Sequence, residues 1–331
     1  MNSPVPPQRG LNLDKFKPAP TVQRMTGTKA PAAIPAVVAK QRRVQSILAN
    51  IEGLPSLPAV VIEVMQMANN PLSNATDFEA SIRKDQALTA KMLKLVNSSF
   101  FGMPNKINSI SRAVVVLGIK TLKSVVLAAS TSKLLDRNLE VYGYARGGLW
   151  LHSLATAVIA RHLALKAFKM NVDDAEELFV GGLLHDIGKI VISPILAENR
   201  EEWQRFFTSN PKATLIEAEN TVAGIDHCEA GAKLMSRWQL SPRLISILQH
   251  HHHCDNGNSP DSLFTNAIHL ADLLCINIRL GLVSPYPWQR EFSPEIMALL
   301  KMTPEQIQVY TLEVEKIIQE MQPVFESLRR A

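Results

Sequence analysis

From Arg42 onward the chain places Leu, Ile, Val and Ala at three- and four-residue spacing, in short runs closed by breakers. Nowhere does it hold a two-residue alternation over a useful length. That pattern argues against sheet and for packed helices. Residues 43–51 run into Glu52-Gly53-Leu54-Pro55. The next run opens at Ser56-Leu57-Pro58 and is halted by Asn69-Asn70-Pro71. Thr76 with Glu79 predicts a capping box for the helix that follows. Residues 91–96, 109–117 and 121–135 continue the pattern, with Gly118 separating the last two. Residues 149–169 form a long apolar segment in which Ala155, Ala157, Ala160 and Ala164 allow neighbouring helices to approach closely. Asp173, Asp174, Glu176 and Glu177 put acids at the start of the next helix, where the dipole favours them. That helix carries Leu183-Leu184-His185-Asp186 and stops near Gly188. Further helices are expected at 198–207, 228–238, 242–250 and 263–280. Thr303-Pro304-Glu305-Gln306 gives a capping box with proline at the first helical position, opening a last helix to about Leu328.

The expected fold is therefore all-α, in two helical lobes joined near residues 136–147, with no internal repeat. With 331 residues, 46% of them hydrophobic, the chain is long enough to bury a sizeable core. Residues 1–40 hold seven prolines and no periodicity, and are expected to be a disordered, basic leader. The body is expected over 41–280, with lobes at 41–136 and 144–280, and 281–331 as a C-terminal helical extension.

Charge is uneven. Residues 1–43 carry Arg9, Lys15, Lys17, Arg24, Lys29, Lys40, Arg42 and Arg43 against Asp14 alone, a net of +7, which leaves −2 of the whole-chain +5 to the remainder. A basic tail can touch nucleic acid or an acidic partner. Without aromatic residues interleaved for base stacking it is read as solvated, and nucleic acid is not an expected partner. The N-terminus has no apolar segment behind a charged region, and no long uninterrupted apolar run is seen, so neither secretion nor a membrane span is expected. Cys228, Cys254 and Cys275 form no CxxC pair, which argues against a disulfide framework and a thiolate zinc site and fits the cytoplasm.

Chemistry concentrates in the histidines. His185-Asp186 is an adjacent imidazole–carboxylate pair at a helix end. Adjacent helical residues point about 100° apart, so both reach one ion only if it sits off the helix shoulder. Imidazoles with a carboxylate suit a divalent metal. His152 lies upstream; His227, His250, His251 and Asp272 lie downstream. Singly, each has an ordinary structural role: His152 packed on a helix, the run 250–253 at a helix C-terminus, Asp272 a buried acid. His162 and His269 are read in that way. Arg161 and Arg243 are read as surface or ion-pair residues. Together the order is H…HD…H…HH…D, each on a helix or its end.

That order resembles the HD superfamily of metal-dependent phosphohydrolases. The resemblance implies His152, His185, Asp186 and Asp272 as the core metal ligands. It adds His227, His250 and His251 as the extra ligands of two-metal members, with Asp186 bridging, and Lys189 near substrate phosphate. One or two ions of iron, manganese or zinc would then activate water on a phosphoester, with Asp186 and Lys189 as the catalytic candidates. Over residues 45–280 the chain more narrowly resembles the HDOD family. Leu54-Pro55-Ser56-Leu57-Pro58, Ile82-Arg83-Lys84-Asp85-Gln86-Ala87-Leu88-Thr89, Leu95-Val96-Asn97-Ser98, residues 113–117 with Gly118, Leu149-Trp150-Leu151-His152-Ser153, residues 181–188, His227-Cys228-Glu229-Ala230-Gly231, Trp238 and His250-His251 carry it. HDOD proteins are generally degenerate HD domains in bacterial signal transduction. The resemblance thus implies a regulatory protein acting through signalling partners, with a retained HD-type metal site. The alternative is an active phosphohydrolase on a nucleotide or other phosphoester. After the double histidine the chain reads His252-His253-Cys254-Asp255-Asn256-Gly257 and lacks the Gly-Tyr-Pro loop of the HD-GYP branch, so cyclic-di-GMP hydrolysis is not expected.

Overall fold

A computed structural model describes residues 33–54, 56–68, 70–253, 259, 261–281 and 294–329. The helices are α1 (Ala33–Gly53), α2 (Ala59–Ala68), α3 (Ala75–Ile82), α4 (Gln86–Val96), α5 (Ile110–Leu135), α6 (Gly148–Lys166), α7 (Val172–Leu184), α8 (Gly188–Glu198), α9 (Arg200–Ser209), α10 (Leu215–Val222), α11 (His227–Arg237), α12 (Pro242–His250), α13 (Ser262–Asn277), α14 (Pro294–Leu299) and α15 (Pro304–Arg329). Among the described residues the one β-type pairing is a bridge between Leu139 and Tyr144. The all-α expectation holds. The described residues from 39 onward form one compact unit; before them only the first turn of α1 is described. The expected leader over 1–32 lies outside the described residues.

Sequence and structure part at several helix ends. α1 begins ten residues before Arg43, because Ala33, Ala36 and Ala39 are strong helix formers and Pro35 falls in the first turn, where no intrahelical N–H is needed. The capping box of α3 is made by Asn74 and Asp77, not Thr76 and Glu79: the Asn74 side chain accepts from the backbone N–H groups of Thr76 and Asp77. The box opening α15 is as expected, with Thr303 N–H donating to Gln306 and Gln306 N–H to the Thr303 hydroxyl. Inside α5, Gly118 at φ 80°, ψ 162° breaks the helix where the sequence marks it.

In the first lobe α2, α3 and α4 pack on α5 around Val61, Phe78, Ile82, Met92 and Leu122. The second lobe is built on α6 and α7, which cross so closely that a Cβ at Gly182 would meet the Ala157 backbone at 2.8 Å. α8 and α11 complete one flank and α12 and α13 the other. α1 reaches this second lobe: Arg43 donates to Asn199 at 2.6 Å and Glu202 at 2.8 Å, and Arg237 donates to the Leu54 carbonyl at 2.8 Å. The lobes meet where Arg161 of α6 pairs with Glu176 of α7 at 2.7 Å, Glu176 accepts from Thr121 of α5 at 2.9 Å, and the Arg161 guanidinium lies 5.3 Å from the Phe100 ring centre. α15 crosses both lobes, setting Phe325 against Trp150 and Glu313 2.8 Å from His162. Glu313 thus has a partner within the chain. By length and composition alone the stretches Ile110–Leu135 and Val172–Glu198 could cross a membrane; 56% and 89% of their apolar 18-residue windows are buried in this fold, as in core helices.

Candidate metal centre

The second lobe gathers its polar residues at one point. His152 stands in the second turn of α6. His185 closes α7, and Asp186 follows in the tight turn before α8, so both side chains leave the helix shoulder together. His227 opens α11, His251 caps α12 and Asp272 lies on α13. None of these six is more than 2% exposed. Two glycines set the spacing: Gly182 lets α6 and α7 touch. Gly188 lets the start of α8 lie against the start of α11, since a Cβ there would run into the His227 carbonyl.

Asp186 is the centre. Its Oδ2 lies 3.3 Å from His185 Nε2 and 3.5 Å from His152 Nε2, while its Oδ1 lies 3.3 Å from His227 Nε2 and 3.9 Å from His251 Nε2. Asp272 Oδ1 completes the first side, 3.0 Å from His152 Nε2 and 3.6 Å from His185 Nε2. Short as they are, these contacts are not hydrogen bonds. His152 Nε2, His185 Nε2, His251 Nε2, Asp186 Oδ1 and Asp272 Oδ1 are buried without a hydrogen-bond partner among the described residues. The outer ring nitrogens explain why. Nδ1 of His185 donates to the Gly182 carbonyl at 2.8 Å, Nδ1 of His251 to the Leu248 carbonyl at 2.8 Å and Nδ1 of His227 to Glu219 Oε2 at 2.7 Å. Each ring is thereby held with its Nε2 inward, the orientation a metal-ligating histidine needs. Converging ligand atoms at these separations match the edges of a shell of about 2.1 Å bonds around a cation, which span about 3.4 Å in a tetrahedron. The residues present fit a divalent ion on the first side of Asp186 and the beginnings of another on the second.

The electrostatics agree. Burial alone would lower the His185 pKa, but the charge of Asp186 overrides it and raises it to about 10. Burial likewise pushes Asp186 upward, and the charges of His185 and Lys189 hold it instead well below the usual carboxylate range. His251 is kept well below the ordinary imidazole value by burial and by its neighbours His185 and His227. One imidazole thus carries a proton in the place a cation would take, and another is held neutral.

Lys189 donates to Asp186 Oδ2 at 2.6 Å and lies 5.7 Å and 5.6 Å from the ring centres of Tyr142 and Tyr144. These tyrosines belong to the connector 136–147, which folds over the site. Tyr142 donates to Glu219 at 2.7 Å, and Trp203 Nε1 donates to the Val141 carbonyl at 3.1 Å. Both rings are buried, which leaves no wide approach to Asp186 from that side.

One expected residue stands apart. His250 is exposed, its Nδ1 bonded to the Ser246 carbonyl at 2.9 Å, and it lines a surface cleft with Asp226, Glu229 and His253. The helix delivers His251 inward, and the turn after it brings round His252, whose Nε2 is 3.1 Å from His227 Nε2. The pair facing the site is therefore His251–His252. Sequence reading also missed Glu219, the tyrosine cover and Cys228 at 3.7 Å from His227 Nε2; His269, read as an ordinary structural residue, bonds the His251 carbonyl through Nδ1 at 2.7 Å. Arg243 pairs with Glu177 at 2.9 Å and Asp261 at 3.1 Å, away from the site.

The described residues thus form an all-helical body around a buried histidine–aspartate cluster. The HDOD domain family model matches residues 54–254, and the chain belongs to that family. It is 29% identical over 218 residues to an uncharacterized protein of Treponema pallidum (strain Nichols), a match covering 62% of this chain and 39% of that protein. The chain thus spans well under half of that curated relative. Among solved structures it is similar to an HDOD domain protein of unknown function from Geobacter sulfurreducens, with 24% identity, TM-score 0.66, and coverage of 88% of this chain and 99% of that one. A protein of Marinobacter aquaeolei VT8, named by inference for signal transduction, shares 16% identity at TM-score 0.66, over 88% of this chain and 66% of that one. At these identities the likeness is one of fold.

Proposed function

We propose that this chain is a cytoplasmic regulatory protein of bacterial signal transduction. Its HD-type lobe would hold one or two divalent ions in a closed, structural or sensory site, and its output would run through contacts with signalling partners. The observation that supports this reading is burial of the centre. His152, His185, Asp186, His227, His251 and Asp272 are all buried, with Tyr142 and Tyr144 packed over Lys189 beside them and His252 half-buried at the edge. A closed shell is the mark of structural metal sites, whereas a catalytic site keeps an open position for water and substrate. His152, His185, Asp186 and Asp272 would hold the first ion; His227 and His251, with His252 in the place expected for His250, would face the second. When bound, such ions supply Lewis acidity and a metal-held water.

The phosphohydrolase alternative draws on Lys189, a buried ammonium next to Asp186 and suited to a phosphoryl oxygen. One experiment separates the two: metal content by elemental mass spectrometry on untagged protein, beside Asp186→Ala, with turnover of bis(p-nitrophenyl) phosphate and cyclic-di-GMP followed on the same samples. Expected are one or two equivalents of iron, manganese or zinc, lost in the variant, and no turnover. Turnover abolished by Asp186→Ala would replace the regulatory reading with the enzymatic one. Metal-free protein in both samples would remove the metal from either.

A further inference from the structure

The two cysteines among the described residues sit in opposite surroundings. Cys275 belongs to the apolar core and takes the Thr156 hydroxyl at 3.4 Å. Cys228, equally buried, is not part of that core; its sulfur faces His227 Nε2 and His251 Nδ1, each at 3.7 Å. A buried cysteine ordinarily behaves as a small apolar residue among aliphatic neighbours. Cys228 lies among imidazoles.

Ligand atoms of His227, Cys228, His251 and His252 all lie within 4.8 Å of one another. Nδ1 of His251 is taken by the Leu248 carbonyl, so that ring turns its remaining nitrogen to Asp186. Three donors are left on this side: His227 Nε2, His252 Nε2 and Cys228 Sγ. Around a tetrahedral ion with bonds of about 2.1 Å to nitrogen and 2.3 Å to sulfur, nitrogen pairs span about 3.4 Å and nitrogen–sulfur pairs about 3.6 Å. The observed spans are 3.1 Å for the two imidazoles and 3.7 Å from His227 to the sulfur.

Resting on the metal-binding reading above, we propose that Cys228 is a metal ligand, and that with His227 and His252 it makes the second position a thiolate-containing site for a soft or borderline cation such as zinc. On ligation the thiol gives its proton to water as the sulfur–metal bond forms, with no change of oxidation state. A thiolate in the set moves preference away from manganese and toward zinc, unlike the imidazole–carboxylate side at Asp272. The two halves of one centre then select different ions.

Cobalt(II) reports this directly. Untagged full-length protein, stripped by chelator under reducing conditions and loaded with cobalt(II), is expected to show a near-ultraviolet thiolate-to-cobalt charge-transfer band. The band should persist in Cys275→Ser and vanish in Cys228→Ser, which keeps cobalt at the other position. Zinc X-ray absorption on the unaltered chain needs no variant and should find sulfur at about 2.3 Å. Cobalt uptake without the band, a band surviving Cys228→Ser, or a zinc shell of nitrogen and oxygen alone overturns the inference and leaves the HD-type reading standing. Absence of any cobalt uptake overturns both.

Discussion

Glu219 Oε2 accepts both the ring Nδ1 of His227, at 2.7 Å, and the backbone N–H of the same residue, at 2.9 Å. One carboxylate oxygen thereby fixes where His227 sits and which nitrogen it turns inward. Outer-shell partners of this kind are typically worth 10–100-fold in metal affinity. Glu219→Gln should weaken metal binding by about that factor while helicity is retained, as read by competition with a chromophoric chelator and circular dichroism. Unchanged affinity would show that His227 needs no such support.

His250 and His252 make a direct contrast. His250 faces solvent and His252 faces His227. His250→Ala should leave metal content at the wild-type level, and His252→Ala should reduce it by up to one equivalent. Elemental analysis of the two variants side by side decides the matter; the reverse result would restore the sequence-based pairing of His250 with His251.

Metal uptake should release protons. In metal-free protein His185 stands at about 10, raised by Asp186 against the lowering effect of burial, so near pH 7 it is protonated and a cation must displace that proton. Apparent affinity should therefore rise with pH, about tenfold per unit for one proton, and level off near His185's folded value. The same shift stabilises metal-free protein fully below the unfolded value of 6.5, and that contribution disappears as pH climbs through about 10. Calorimetry in buffers of differing ionisation enthalpy counts the protons; a buffer-independent heat would refute the displacement.

Gly188→Ala tests the crossing of α8 and α11. The added methyl would strike the His227 carbonyl, and overpacking of this kind typically costs about 1–3 kcal/mol. Urea unfolding should show that loss together with weaker metal binding, because His227 moves with its backbone. Loss of neither would mean that the two helices have room to part.

At the lobe junction, Arg161→Ala would leave Glu176 buried with Thr121 as its remaining side-chain partner. Removing one member of a buried pair typically costs about 3–5 kcal/mol, and the low end applies here because the Arg161 side chain keeps 17% exposure. A midpoint unchanged in denaturant would show that the lobes are joined by apolar contact alone.

The helical class was legible because it depends on periodicity and breakers, both local. The ligand order was legible because His185-Asp186 and its companions are spaced along the chain in a pattern that survives without coordinates. What failed was phase. The end of α12 at His250 was read as it is observed, but nothing in four consecutive histidines says which of them the last helical turn and the turn after it aim inward. Glu219 was invisible for another reason: its helix, α10, went unrecognised, although Thr214 and Glu217 form the capping box that announces it. The role of Tyr142 and Tyr144 depends on a connector folding back across the second lobe, a long-range event that local pattern does not encode.

The twelve residues that tie one lobe to the other also rest on Lys189 and, through Tyr142, on the Glu219 that grips His227. Linker and cover are the same piece of chain. Any substitution that reshapes the linker therefore also alters what lies over Asp186, so its effects on lobe joining and on the metal centre come together.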